Sequence, residues 1–395
     1  MKRFQMNKRS ILLYLKKAFL LGYVIVSLLA LIFIAYDVML KVNGKLMAQK
    51  LGRFASRTEW IDAMKEQAIH EYQNMPRMMG NLGFPRLITQ FKIDKDAPLY
   101  AWQTGGLLLG LYECTTEVEF EELVNKRKDL QNMTGEEIDS ALLAYALSFM
   151  PGEEYRTADR IRKNILEDIS SCTDPGTGTI MYREVYPSFR FIDTIGLVCP
   201  FLAVLGREEG NDSYTDLALA QLLEFEAVAF DEDYDYLPFH AYDLASKTPL
   251  GKYGWGRGTG WYALGIIDTY LALDESRRPL LQDSILKLAE TLKKYQREDG
   301  GWGSTVNDAA SRTETSATAL FLYFIKRAAS LGLIEAVAYE DCIGRAELCL
   351  MNNTHRDGRV MNTEGDCIAI GNYSYDYKHM PFTLGMTLRA VCLNQ

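Results

Sequence analysis

The 395-residue chain is short of the residues and runs from which many catalytic sites are built. It has four histidines and seven cysteines (Cys114, Cys172, Cys199, Cys342, Cys349, Cys367 and Cys392), an odd number without a C-x-x-C pair. A zinc ribbon is thereby excluded. No second His or Cys stands at ligand spacing from His240, so neither a metal nor a cofactor is expected. There is no G-x-G-x-x-G, Walker loop, G-x-S-x-G or His-Glu-x-x-His run, which argues against dinucleotide and P-loop sites, the serine-hydrolase elbow and the zincin site. Alternating strand patterns longer than a few residues are also missing, which points to an all-α domain. Excess positive charge is absent too. The formal net charge is −9, and because Lys2, Arg3, Lys8, Arg9, Lys16 and Lys17 place +6 in the first 17 residues, the remainder carries −15. That balance argues against nucleic acid and gives an anionic ligand no long-range steering, so local groups must hold it.

What the chain does have begins with Ala18 to Tyr36, nineteen residues without a charge directly after the basic segment. This is membrane-spanning length. A cleaved signal peptide would carry a shorter apolar stretch and a small-x-small site, whereas this run continues into Val38, Met39 and Leu40. The expected organisation is a basic cytoplasmic segment (1–17), an uncleaved transmembrane anchor (18–40), a linker (41–56) and one helical domain (57–395). The basic flank places that domain outside the cell, although Lys41, Lys45 and Lys50 reduce the asymmetry. Most cysteines sit in apolar helical contexts and read as core thiols, which suits an anaerobic or Gram-positive surface better than an oxidising periplasm.

Helical spacing of apolar residues predicts twelve helices, near 57–74, 99–112, 116–128, 135–149, 156–168, 194–206, 212–226, 258–274, 279–295, 313–330, 335–350 and 381–393. Long connections near 170–192 and 227–257 interrupt them, and ordered loops of that length are usually functional. Twelve alternating helices suit six hairpins closed into a toroid. An open superhelix is the rival architecture, and the absence of a fixed repeat counts against it. The 23 Tyr, 17 Phe and 5 Trp supply a large core and suit a carbohydrate cleft.

Candidate site residues follow. In Gly254-Trp255-Gly256-Arg257-Gly258-Thr259-Gly260-Trp261-Tyr262 one guanidinium lies between two indoles on a backbone with little side-chain bulk. One reading is a sugar-acid cradle, with Trp faces on the pyranose and the Arg fork on its carboxylate. The other is a glycine-rich entry into a buried helix whose Trp residues are core. Asp139 has Leu142, Leu143 and Ala146 as its helical neighbours and so faces the core, either paired or kept for chemistry, or else close enough to a helix start to accept main-chain N–H bonds. Asp193 is the acid of a strongly apolar stretch, readable as an N-cap or as a catalytic acid facing a cleft. His240, Tyr242 and Asp243 close the second long connection. Glu314 fits a capping box with Ser311, and Asp299-Gly300-Gly301-Trp302 reads as a turn carrying a cleft aromatic.

Ile138-Asp139-Ser140, Ile192-Asp193-Thr194 with Pro200-Phe201-Leu202-Ala203, His240-x-Tyr242-Asp243, Trp255-x-Arg257-Gly258-x-Gly260-Trp261 and Glu314-Thr315-Ser316-Ala317 occur in the order and approximate spacing of a known family. From about residue 60 to its end, the chain resembles the unsaturated glucuronyl and rhamnogalacturonyl hydrolases of glycoside hydrolase families 88 and 105. The resemblance implies an (α/α)6 barrel and an acidic oligosaccharide as the partner. It also implies hydration of the C4=C5 double bond in the unsaturated uronic acid that a polysaccharide lyase leaves at a non-reducing end, as in pectin or rhamnogalacturonan fragments. By the same resemblance Asp193 is the acid/base and Asp139 the second carboxylate, His240 and Arg257 bind substrate, and Trp255, Trp261 and Trp102 are cleft aromatics. Three departures stand out. Phe191 replaces a Trp, Thr259 replaces an Asn, and the run Tyr373-Ser374-Tyr375-Asp376-Tyr377-Lys378-His379 fits the pattern poorly. Two other readings stay open, a conventional glycosidase acting on a saturated glycoside and a catalytically silent glycan-binding envelope protein. Nothing in the sequence fixes the oligomeric state.

Overall fold

The structure, a computed structural model, describes residues 8–74, 101–127, 130, 138–150, 156–183, 185–231, 235–367 and 369–393. It has two compact units, Met1–Leu51 and Gly52–Gln395. The first holds helix α1 (Lys8–Ala48), within which Ile11–Met39 has a mean hydropathy of 2.7 over 29 residues. That is long and apolar enough to cross a bilayer, a property that membrane anchors and signal sequences share.

The second unit is helical. In chain order come α2 (Arg57–Asn74), α3 (Ala101–Cys114), α4 (Glu117–Asn125), α5 (Ala141–Leu147), α6 (Arg156–Cys172), α7 (Ile192–Glu209), α8 (Asp212–Ala229), α9 (Gly256–Ala272), α10 (Pro279–Lys294), α11 (Thr315–Ser330), α12 (Ala336–Asn352) and α13 (Pro381–Cys392). They alternate between two layers. Helices α3, α5, α7, α9, α11 and α13 each pack on the next, and α13 returns to α3, so the six close an inner ring. Composition explains the sorting. In α9 every residue from Gly256 to Tyr270 is buried, whereas α10 buries mainly Leu281, Ser284, Ile285, Leu288, Ala289 and Leu292 at helical spacing and leaves its other face wet. The domain is thus the (α/α)6 barrel that six hairpins require.

All twelve expected helices are present among the described residues, with some ends moved. The expected helix at 135–149 begins instead as a 3-10 turn, Ile138–Ser140, before α5; residues 135–137 lie outside the described residues. The expected pairing of Ser311 with Glu314 is corrected. Glu314 is itself the N-cap of α11, accepting from the amides of Ser316 and Ala317, while the Ser311 hydroxyl bonds to the carbonyls of Thr305 and Asp308.

The loops carry short strands that sequence alternation could not reveal, because each is only two or three residues long: β1 (Phe189–Phe191), β2 (Phe230–Asp231), β3 (Leu237–Pro238), β4 (Ala241–Asp243), β5 (Thr248–Leu250), β6 (Thr363–Glu364) and β7 (Tyr377–Lys378). Strands β1, β4 and β5 form one antiparallel sheet that ties the two long connections together.

Closure of the ring is set where α3 meets α13. A Cβ on Gly110 would lie 2.0 Å from the Gly385 carbonyl oxygen, and one on Gly385 would lie 2.2 Å from that of Gly106. Main chain touches main chain, and no flexible side chain is there to move aside. Gly385→Ala should therefore destabilise the domain by about 1–3 kcal/mol or more, the cost of overpacking a tight core. Denaturant unfolding of the full chain in detergent reads this directly, and an unchanged midpoint would contradict the closure.

Candidate active site

The inner helices run parallel, and their N-terminal ends gather at one mouth. Trp102 is the second residue of α3, Asp139 lies in the 3-10 turn that leads into α5, Asp193 lies in the first turn of α7, Arg257 in that of α9, and Phe382 in that of α13. Helix N-termini carry partial positive charge, so this end of the barrel favours anions.

Asp193 is not the cap of α7. Phe191 holds that position without a side-chain bond, and Asp193 follows as the second helical residue. Its side chain retains 15% exposure. The Oδ2 atom is buried without a hydrogen bond, and His240 Nε2 lies 3.3 Å from it, near enough for an ion pair but off the line of a hydrogen bond. Strand pairing brings His240 there. Phe191 of β1 opposes Ala241 of β4, and the Ile192 amide donates to the His240 carbonyl at 2.9 Å. The imidazole is 3% exposed, with Phe191 at 5.5 Å and Trp255 at 4.5 Å between ring centroids. Its Nδ1 is 2.9 Å from the Tyr373 hydroxyl, which accepts from the Lys252 amide at 2.7 Å.

Asp139 is buried, and Arg183 supplies its cation, with Nη2 donating to Oδ2 at 2.8 Å. Arg183 also lies over the Tyr182 ring at 4.0 Å. Arg183 comes from the first long connection, and no local pattern marks it. Its signal is indirect, since a core-facing carboxylate requires a partner.

Arg257 sits beneath the mouth and is 3% exposed. Its Nη1 and Nη2 donate to the carbonyls of Glu364 at 2.5 Å and Gly365 at 2.7 Å, so the fork clamps main chain. Burial acts to lower its pKa, but Glu314, Glu364, Asp366 and Asp193 together hold it above the ordinary value. Trp255 is also enclosed, its Nε1 donating to Glu364 Oε2 at 2.9 Å. Burial raises the Glu364 carboxyl, with Arg257 opposing and Glu314 reinforcing the rise. Trp261 packs on Phe382 at 4.8 Å and meets the edge of Trp102 at 5.9 Å; Trp102 is the half-buried member of that trio. The expected residues therefore form two groups, one of Asp193, His240 and Trp255 over Arg257, the other of Trp102 and Trp261, with Asp139 held apart from both on Arg183. Arg183 and Glu364 carry no local signal in the sequence, and Tyr373 enters there only as the first residue of the run that fits the family pattern poorly. Burial, with the Asp193 charge adding, pushes the nearby Cys367 thiol up to about 12, which removes it as a thiolate nucleophile. Among the described residues no group of three His, Cys, Asp or Glu side chains could hold a metal ion.

The six-hairpin barrel has known counterparts. The sequence profile of Glycosyl Hydrolase Family 88 matches residues 100–392. The chain belongs to this family. A curated relative, "Protein Atu3128" of Agrobacterium fabrum (strain C58 / ATCC 33970), is 30% identical over 149 residues, which is 34% of this chain and 62% of the relative. The match thus spans less than two thirds of that protein. Among solved structures, a possible member of the GH105 family from Salmonella enterica serovar Paratyphi A superposes with a TM-score of 0.72 at 19% identity, covering 86% of this chain and 94% of the other. The unsaturated glucuronyl hydrolase of Bacillus sp. GL1 superposes with a TM-score of 0.57 at 18% identity, covering 73% and 84%. At such identities the superpositions establish the shared family 88/105 fold.

The clamp at Arg257 makes a prediction that separates a structural role from substrate binding alone. Lysine cannot donate to two carbonyls with the same planar fork, so Arg257→Lys should lower unfolding stability by about 1–3 kcal/mol, the cost of a buried acceptor left unpaired. Equilibrium denaturation checks it. A variant of native stability would show that the clamp contributes nothing.

Proposed function

We propose that this family 88 chain is a glycoside hydrolase that removes the unsaturated uronic acid from the non-reducing end of lyase-generated acidic oligosaccharides, by hydrating its C4=C5 double bond. The observation that carries the reading is the inequality of the two carboxylates. Asp139 is tied to Arg183 at 2.8 Å, whereas Asp193 has an Oδ2 without a hydrogen bond and a side chain that is still 15% exposed. Asp193 is thus the group left to exchange a proton with a ligand. The substrate is an enol ether. Protonation of C4 by Asp193 leaves an oxocarbenium-like centre at C5, the new Asp193 carboxylate takes a proton from the water that attacks C5, and one residue serves both steps. The C5 hemiketal then opens, the C1 hemiacetal that results breaks down, and the attached sugar leaves. One water is consumed.

In this reading Asp139 and Arg183 orient water and ring hydroxyls, the half-buried Trp102 offers the sugar an aromatic face, and the helix N-termini favour the uronate charge. Arg257, Trp255 and Trp261 act from behind the first layer, through Glu364, His240 and Phe382. Support for the substrate class comes from the Bacillus sp. GL1 protein, described as an unsaturated glucuronyl hydrolase responsible for the degradation of glycosaminoglycan. Helix α1 acts in this proposal as a single-pass anchor that holds the catalytic domain outside the cell.

The test mixes the full chain in detergent with lyase-digested pectin and with lyase-digested glycosaminoglycan, and follows the ultraviolet absorbance of the conjugated double bond. Absorbance should fall with at least one digest. Asp193→Asn should slow the fall by at least about a hundredfold, the lower end of what a general acid/base contributes, while leaving binding intact. Rapid turnover by Asp193→Asn would remove the mechanism, and constant absorbance with every digest would favour cleavage of a saturated glycoside or a binding role.

A further inference from the structure

The hydrogen bonds around Tyr373 determine where its own proton goes. Its oxygen accepts from the main-chain amide of Lys252 at 2.7 Å. An amide N–H can only donate, so the phenol serves Lys252 as acceptor and still has its own hydrogen to give. The hydroxyl hydrogen remains, and His240 Nδ1 lies 2.9 Å away. Nδ1 is the acceptor within its reach, which leaves the imidazole hydrogen on Nε2, 3.3 Å from Asp193 Oδ2.

We propose that Tyr373 is the positioning residue that fixes the Nε2–H tautomer of His240 and so presents a donor beside the Asp193 carboxylate. The opposite tautomer would set a lone pair of Nε2 against the carboxylate oxygen and leave the Tyr373 hydrogen without its acceptor. The seat is shaped for this contact. Gly251 has φ 82°, and a Cβ there would lie 2.9 Å from both the Tyr373 hydroxyl and the His240 Cβ, so glycine permits the approach of the two side chains. Burial raises the Tyr373 phenol, which keeps its hydrogen in place as a donor. The consequence for turnover rests on the reading of Asp193 as the acid/base, whereas the tautomer itself does not.

The experiment is nitrogen-15 NMR of the histidine-labelled full chain in detergent at about pH 8, above the ordinary imidazole range. His240 is assigned by the signal lost in His240→Gln. The proposal requires a hydrogen on Nε2 and none on Nδ1 in the native chain and also in Asp193→Asn, because Tyr373 rather than Asp193 holds the tautomer. In Tyr373→Phe that single tautomer should be lost. On a digest that the native chain consumes, kcat should fall about 10- to 100-fold with KM changed less than about threefold, the scale seen when the group orienting a metal-bound imidazole is removed. A hydrogen on Nδ1 in the native chain, loss of the tautomer in Asp193→Asn, or its survival in Tyr373→Phe overturns the proposal. The native and Asp193→Asn spectra decide even if Tyr373→Phe does not fold. A native chain inert on every digest would count against the function above while these spectra still judge Tyr373.

Discussion

A ring of six buried helices exists only if the first can touch the last, and here that contact is made by main chain. Gly110 and Gly385 bring α3 against α13 at a separation that any side chain would prevent. Once the ring closes, alternation of inner and outer helices makes every inner helix point the same way. Their N-termini then share one mouth. This explains how Trp102, Asp139, Asp193, Arg257 and Phe382, spread across most of the domain, come to stand at the same end.

Convergence alone would leave the carboxylates without partners. Those arrive on the connections, held by very short strands. Three residues of β1 paired with three of β4 set His240 beside Asp193. The 364–365 segment is held by the Arg257 guanidinium, and this keeps Glu364 under the indole of Trp255. The buried groups are thus arranged in layers. Arg257 and Glu364 lie underneath, His240 and Trp255 above them, and Asp193 at the opening. Asp139 is held separately by Arg183. Asp193 therefore stands over a floor whose charges are already paired.

The helices were legible because burial on one side of a helix writes a period into the chain, and that period survives in α10 or α12 without knowledge of their neighbours. Asp139 and Asp193 were legible as acids in apolar surroundings. Their partners were not. Arg183 is 44 residues from Asp139 and Tyr373 is 133 from His240, both in loops whose order comes from individual contacts rather than from a repeat. The glycine-rich run teaches a narrower lesson. Its residue types suggested a guanidinium fork among indoles, but a main-chain carbonyl pair satisfies that fork as well as a carboxylate does, and only the fold decides which is nearer. The short strands escaped for the same reason, since two or three residues are too few to show alternation.

The most direct measurement is a crystal structure of the Asp193→Asn chain bound to an unsaturated disaccharide released by a lyase. The account predicts the unsaturated ring in the mouth, with C4 within about 3–3.5 Å of the residue-193 side chain, the separation of a reactive pair. A ring bound with its C1–oxygen bond at residue 193 and C4 turned away, or a sugar seated elsewhere on the domain, would contradict it.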